Sequence, residues 1–318
     1  MAHRISRSRV LAGTAAALTI APRIVRAQTL EKIRLAGVAT DDLSNVYYAI
    51  KSGLYQKAGL DVEVIPTSSG TAATTAVIAG AYELGKGSPV ASMLAHLRGL
   101  PIVAIANNTI WDQRSPFNVI TVAADSPIKT GADLNGRIAA CAALNDLNQL
   151  AISAWADKNG GDSKTIKFVE VPVSAAAAAL ADHRIDVCTL LEPQLTAAVE
   201  SGKVRVLTPG FNAIAERFCI GLFFTTPDWA AKHADALKKW VRVTYEAGTY
   251  TNGHHAETAP MMSEVTKIPL PLFQKMARAE CGTLASSDPA MLQPLIDAAA
   301  KYKQIPHAFP AKEMYFSG

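Results

Sequence analysis

Three things are scarce in this 318-residue chain, and each scarcity closes off a class of function. The four cysteines, Cys141, Cys188, Cys219 and Cys281, form no C-x-x-C pair and sit among apolar or small residues. They read as separate buried thiols; an oxidising compartment would permit one disulfide, but spacing assigns no partner. His254-His255 is the sole adjacent histidine pair, and it follows Asn252-Gly253 at a helix boundary. Neighbours on a helix point about 100° apart, so they do not chelate a metal as an i, i+4 pair does. No stretch approaches the roughly 20 uninterrupted apolar residues of a membrane span.

The amino terminus carries a different signal. Arg4, Arg7 and Arg9 precede an apolar core at residues 10–21, and Val25-Arg26-Ala27 sets small residues before Gln28. Residues 1–28 therefore read as a secretory signal whose apolar core is too short for an anchor. Ser8 separates Arg7 from Arg9, an imperfect twin-arginine pattern, so the general secretory route is expected. With no cysteine near the cleavage point, the mature chain is expected to be soluble and periplasmic, without a lipid anchor. The formal charge of +4 also changes meaning, because five arginines and no acid fall in those 28 residues, leaving about −1 elsewhere. That balance removes the main support for nucleic-acid binding.

From residue 32 apolar strands alternate with helices. Strands are expected at 33–38, 61–65, 83–85 and 102–107, with helices at 45–57, 71–79 and 89–98. A second block follows, with strands at 118–123, 137–141, 166–171, 186–190 and 204–207 and helices at 146–158, 174–181 and 193–201. A strand at 219–225 then leads into helices at 229–251, 256–266, 271–280 and 289–302. Such alternation predicts an α/β fold of mostly parallel sheets covered on both faces. The irregular segments 107–116 and 209–217 read as two crossovers between lobes. The expected division is residues 29–112 with 215–318 in one lobe, and 113–214 in the other.

Two polar turns carry the functional reading. Thr67-Ser68-Ser69-Gly70-Thr71 and Gly87-Ser88-Pro89 each open a helix, presenting hydroxyls and free N–H groups where polar or anionic groups dock. Neither turn holds an acid, a histidine or a cysteine. This pattern holds a small molecule without transforming it.

Three local motifs promise chemistry that their context denies. Residues 80–87 nearly spell a phosphate-binding loop, but Gly87 stands where Ser or Thr must hold magnesium, and the loop lacks its preceding strand. Ser126-Pro127-Ile128-Lys129 and Lys129-Thr130-Gly131 match two motifs of penicillin-recognising enzymes, yet they share one lysine and one contains a proline in a surface turn. Asp146 and Glu192 suit acid–base work by type. No nucleophile, metal or cofactor site accompanies them, and Glu192-Pro193 also reads as an ordinary helix start.

A resemblance runs in order over nearly the whole mature chain. It is carried by YAIKSGLYQKAGLDV at residues 48–62, by Gly87-Ser88-Pro89, and by Asp125-Ser126-Pro127-Ile128-Lys129-Thr130 with Asp133-Leu134-Asn135-Gly136. Ile185-Asp186-Val187, Glu192-Pro193 and Thr226-Pro227-Asp228-Trp229 extend it. The chain resembles periplasmic solute-binding proteins of ATP-binding-cassette (ABC) importers, of the nitrate, sulfonate and taurine type. The resemblance implies a two-lobed type II periplasmic binding protein fold with two hinge crossovers. It also implies a ligand passed to a membrane permease that a separate ATPase powers, with no catalytic residue, metal or cofactor and a monomeric state.

Carried over by position, ligand contacts are expected from Asp41 and Asn45, from Ser69, Gly70 and Thr71, and from Gly87 and Ser88. The second lobe is expected to add Asn145, Asp146 and Glu192, with Trp111 at the hinge stacking on a flat ligand. Two departures stand out. Lys86 precedes the second turn where relatives often have a small or apolar residue, and Asp41, Asp42, Asp146 and Glu192 suit an inorganic anion poorly. A guest with hydrogen-bond donors fits better: an amine, an aminopyrimidine or an amidated aromatic. Two alternatives accompany this reading. One is a thiamine-pyrimidine synthase of the same fold, which uses an iron site and a cysteine-rich motif; the other is a periplasmic ligand sensor.

Overall fold

Ile33 and Leu35 are fully buried on either side of half-buried Arg34, and from Leu35 to Gly37 every residue of the first strand is buried, as befits a strand covered on both faces. The computed structural model describes residue 1 and residues 30–317, so the leader expected over 1–28 lies, residue 1 apart, outside the described residues. In chain order the strands are β1 (Glu31–Gly37), β2 (Leu60–Pro66), β3 (Leu84–Gly87), β4 (Val103–Asp112), β5 (Asn118–Ala123) and β6 (Ile138–Cys141). They continue with β7 (Lys167–Glu170), β8 (Val187–Leu191), β9 (Val204–Thr208), β10 (Arg217–Thr225) and β11 (Glu280–Cys281). Two sheets result, ordered β11-β4-β10-β3-β1-β2 and β7-β6-β8-β5-β9.

The flanking helices begin with α1 (Ser44–Lys51), α2 (Leu54–Lys57), α3 (Gly70–Ile78), α4 (Pro89–Leu97), α5 (Leu147–Lys158) and α6 (Val173–Ala181). The rest are α7 (Gln194–Glu200), α8 (Pro227–Lys232), α9 (Ala234–Gly253), α10 (His255–Thr266), α11 (Leu270–Lys275) and α12 (Gln293–Lys301). Gly53 at φ +70° splits the helix expected at 45–57 into α1 and α2, since only glycine adopts that geometry cheaply.

The two-lobed α/β architecture is present, but its sheets are mixed rather than mostly parallel. In the first, β1 pairs in parallel with β2 and β3, while β10 runs antiparallel between β3 and β4. In the second, β6 is parallel to β7 and β8, and β5 lies antiparallel between β8 and β9. The cause is the double crossing. The chain leaves β4 for β5 and returns from β9 into β10, and the two entering strands, β5 and β10, each run antiparallel to both their neighbours.

The joint between lobes is a packed core. Trp111, Phe117, Phe211, Phe218 and Leu150 share one cluster, with Trp111 edge-on to Phe211 at 5.0 Å between ring centres. Around it, Asp112 at the end of β4 binds Arg217 at the start of β10 (Oδ2 to Nη1, 2.6 Å), and Gln113 N donates to Glu216 O at 2.9 Å. Arg217 also pairs with Glu280 of β11. Hydrogen bonding to Arg114, with help from Arg217, holds the Asp112 carboxyl well below the usual carboxylate range.

Candidate functional site

Parallel strands aim their carboxyl ends at one region, and most predicted site residues lie just past those ends. Thr40, Asp41 and Asp42 follow β1, Ser69 and Gly70 follow β2, Ser88 follows β3, Asn145 and Asp146 follow β6, and Glu192 follows β8. From both sheets, Thr40, Asp41, Asp42, Phe117, Leu191, Glu192, Ala277 and Ala279 enclose a small cavity of about 20 Å³. That holds about one water and is far below the range of about 300–1,000 Å³ usual for ligand pockets, so a bound solute requires the two walls to open well apart. A wider apolar groove of about 760 Å³ beside α9, lined by Leu237, Val241, Tyr245 and Phe316, draws on the first lobe alone and contains no predicted site residue.

Three carboxylates face this cavity, in three electrostatic states. Asp41 is buried and paired: Arg278 Nη2 lies 2.7 Å from Oδ1, Arg278 Nε donates at 2.8 Å, and Ala279 N donates to Oδ2 at 2.8 Å. Asp42 pairs with Lys86 and accepts from Thr40 Oγ1 at 2.6 Å and Thr109 Oγ1 at 3.1 Å. Burial pushes the Asp42 carboxyl up, but the Lys86 charge and these hydrogen bonds outweigh it, leaving the group below its ordinary value. Glu192 is 8% exposed and has no cation beside it among the described residues. Its oxygens accept from Thr196 N at 3.0 Å and Thr196 Oγ1 at 2.8 Å, the first turn of α7. Burial raises the Glu192 carboxyl above its ordinary value, the Thr196 bonds oppose this, and the Asp41 charge adds to it.

The two polar turns meet. A methyl group at Gly70 would stand 2.9 Å from Gly87 Cα and 2.9 Å from Ser88 N, so the start of α3 touches the start of α4. Ser69 caps α3 by accepting from Ala72 N at 3.1 Å, and Thr71 beside it is exposed. Ser88 makes no such cap. Its Oγ is buried without a hydrogen-bond partner among the described residues, as is that of Ser92 one turn along α4. Across the gap, exposed Asn145 sits at φ +62° and donates its backbone N–H to Gln149 Oε1 at 2.7 Å. Asp146 caps α5 through Gln149 N at 2.8 Å, and burial raises its carboxyl.

Two predicted contacts take other roles. Trp111 is fully buried in the core of the joint and donates Nε1 to Asn212 Oδ1 at 3.0 Å, leaving no ring face for a flat ligand. Asn45 is also fully buried, with its Oδ1 accepting from Val46 N at 2.8 Å and its Nδ2 facing Asn108 Oδ1 at 3.4 Å. Neither residue lines the cavity. Arg278 and its neighbours Ala277 and Ala279 went unforeseen, because the helix expected at 271–280 ends with α11. Met276 turns extended (ψ 154°), carrying Arg278 to Asp41. Its partner lies 237 residues away, and no local pattern announces such a pair.

The cysteines stand apart, each free and buried; burial pushes the Cys141, Cys188 and Cys219 thiols up to about 12. Among the described residues no group of three or more His, Cys, Asp or Glu side chains is placed to hold a metal ion. No described helix is long and apolar enough to cross a membrane.

Comparison with known proteins agrees with this architecture. The profile of the family described as NMT1/THI5 like matches residues 41–258. The formylaminopyrimidine-binding protein of Halalkalibacterium halodurans is 25% identical over 126 residues, 40% of this chain and 37% of that protein. A putative aliphatic sulfonates-binding protein of Escherichia coli is 24% identical over 200 residues, 61% of this chain and 59% of that protein. The alignments thus span less than two thirds of either relative. Among solved structures, the periplasmic aliphatic sulphonate binding protein SsuA from Escherichia coli superposes with a TM-score of 0.72. It is 18% identical, and the match covers 90% of this chain and 92% of that one.

Proposed function

Because this chain belongs to the NMT1/THI5-like family and closes two lobes over an acidic cavity, we propose that it is the solute-binding component of an ABC importer. In this reading the protein works in the periplasm as a monomer and captures a small polar organic solute. It delivers that solute unchanged to a membrane permease driven by a separate ATPase. Residues 29–112 with 215–318 form one jaw and 113–214 the other, and binding shifts the balance between open and closed forms about the packed joint.

The observation that carries the proposal is the charge arrangement at the cleft. Asp41 and Asp42 are neutralised by Arg278 and Lys86, while Glu192 faces them from the other sheet without a counter-ion among the described residues. A buried carboxylate in that position asks for a guest that brings a positive charge or several N–H donors. Protonated amines, aminopyrimidines and amidated aromatics meet the requirement; nitrate and simple sulfonates do not. The similarity to a formylaminopyrimidine-binding protein favours the aminopyrimidine class. Micromolar affinity corresponds to roughly −8 kcal/mol, within reach of one charge-assisted bond, several neutral ones and closure of the jaws.

The test is a thermal-shift screen of the purified protein against amines, aminopyrimidines, amidated aromatics and sulfonates, followed by calorimetry and product analysis. Stabilisation by one donor-bearing class, weakened in Glu192→Gln, is expected. Stabilisation by sulfonates alone would overturn the ligand class, and consumption of a hit would turn the reading towards an enzyme.

A further inference from the structure

Asp42 has hydrogen bonds of the kind a bound anion would make. Three donors converge on its carboxylate: Lys86 Nζ and Thr109 Oγ1 on Oδ2, and Thr40 Oγ1 on Oδ1. The Lys86 side chain is only 10% exposed, and it belongs to β3 immediately before the Gly87-Ser88 turn. The starts of α3 and α4, nine residues each, abut at that turn, and the Ser88 hydroxyl beside it is buried and unpartnered among the described residues. An ammonium, two hydroxyls and two helix starts make this corner rich in donors, and a buried ammonium left alone there would be costly. The corner needs a negative charge, and the chain supplies one from its own loop.

The geometry points to Asp42 as a built-in anion: a specificity-determining residue that fills an oxyanion site with the protein's own carboxylate and so keeps small anions out of the cleft. This rests on the reading of the cleft as the ligand site and adds the reason why an anion-ready wall does not accept anions. It explains together the presence of Lys86, its burial, and the loss of its charge to a neighbour that itself lines the cavity. Removing the Asp42 side chain vacates the site, leaving Lys86, Thr40 and Thr109 to hold a small anion in its place.

The experiment is calorimetric titration of wild-type protein, Asp42→Ala and the isosteric Asp42→Asn with formate, nitrate and methanesulfonate at constant ionic strength. Asp42→Ala should bind at least one of these anions about tenfold or more tightly than wild type, as a charge-assisted contact implies. The gain should vanish when Lys86→Met is added. Folded Asp42→Ala and Asp42→Asn that both match wild type would overturn the proposal. Should Asp42→Ala not fold in chloride, refolding in formate decides: recovery there supports the built-in anion, and equal failure in both salts overturns it. Failure of the parent reading looks different, namely an organic cation that stabilises wild type and binds Glu192→Gln equally well, whatever the anions do.

Discussion

Asp41 and Glu192 reach one cavity from opposite sheets, and among the described residues only Asp41 has a cation beside it, with Arg278 Nη2 2.7 Å from its Oδ1. The asymmetry leaves Glu192 as the group whose charge a solute must answer. Glu192→Gln preserves shape and the Thr196 contacts of one oxygen while removing the charge. Affinity for a cationic or donor-rich solute should fall about 10- to 100-fold, the worth of a charged hydrogen bond, with little change in melting temperature. Calorimetry on the best hit of the screen checks it; an unchanged dissociation constant would remove Glu192 from the ligand shell.

The same carboxyl sets a pH dependence. Its pKa is raised in the folded protein, chiefly by burial, so the native state holds that proton more tightly than the unfolded chain does. Protonation of Glu192 therefore favours the empty native form as pH falls through the window between the ordinary and the raised value. Asp42 runs the other way: its contribution is present above its unfolded value and is lost only as pH falls through its lowered native one. A cationic solute needs Glu192 ionised. Its affinity should hold near neutrality and drop as the medium is acidified through the raised pKa, whereas Glu192→Gln should give a flatter profile. Parallel profiles for the two proteins would contradict the assignment.

Arg278 and Asp41 form a buried pair, with side chains 5% and 8% exposed. Breaking such a pair from one side strands a charge at a typical cost of about 3–5 kcal/mol, whereas replacing both members costs far less. Arg278→Met should therefore lower stability by that order, and Arg278→Met with Asp41→Leu should recover much of it. Denaturant unfolding of the wild type, both singles and the double closes the cycle. Additive losses would mean that the contact matters less than its burial implies.

The lobes were legible in the sequence because period-two and helical patterns are local, and so were the turns, whose Ser, Thr and Gly residues announce helix starts. Pairings between distant segments were not. Residues Asn107, Asn108 and Thr109 look like a polar loop, yet they continue β4 through the interior. Asn107 Nδ2 donates to Ser286 O at 2.7 Å, Asn107 N donates to Tyr245 Oη at 3.1 Å, and Asn108 Nδ2 donates to Asp42 O at 2.8 Å. Buried polar groups satisfied by residues far along the chain leave no pattern in one segment. Trp111 departs from its expected role for the same reason: in a polar loop it would be free to stack, but in the strand it becomes the centre of the joint. The mixed sheets follow from the return of β10, whose direction depends on the second crossover and not on its own residues.

Contact between the two helix starts gives the last prediction. At Gly70 an added Cβ meets only backbone, Gly87 Cα and Ser88 N at 2.9 Å, so no flexible side chain can move aside. Gly70→Ala must push the start of α3 away from the start of α4. Overpacking of this kind costs about 1–3 kcal/mol, and it should weaken solute binding as well, because it widens the corner where Ser88 and Lys86 lie. Gly253→Ala is the matched control: nothing among the described residues stands within 4 Å, and the residue is the last of α9, where alanine is the better helix former. Thermal unfolding and calorimetry of the two variants should separate cleanly, with Gly70→Ala less stable and weaker in binding and Gly253→Ala equal to wild type or slightly more stable. If Gly70→Ala behaves like its control in both measurements, the abutting turns do not shape the binding wall.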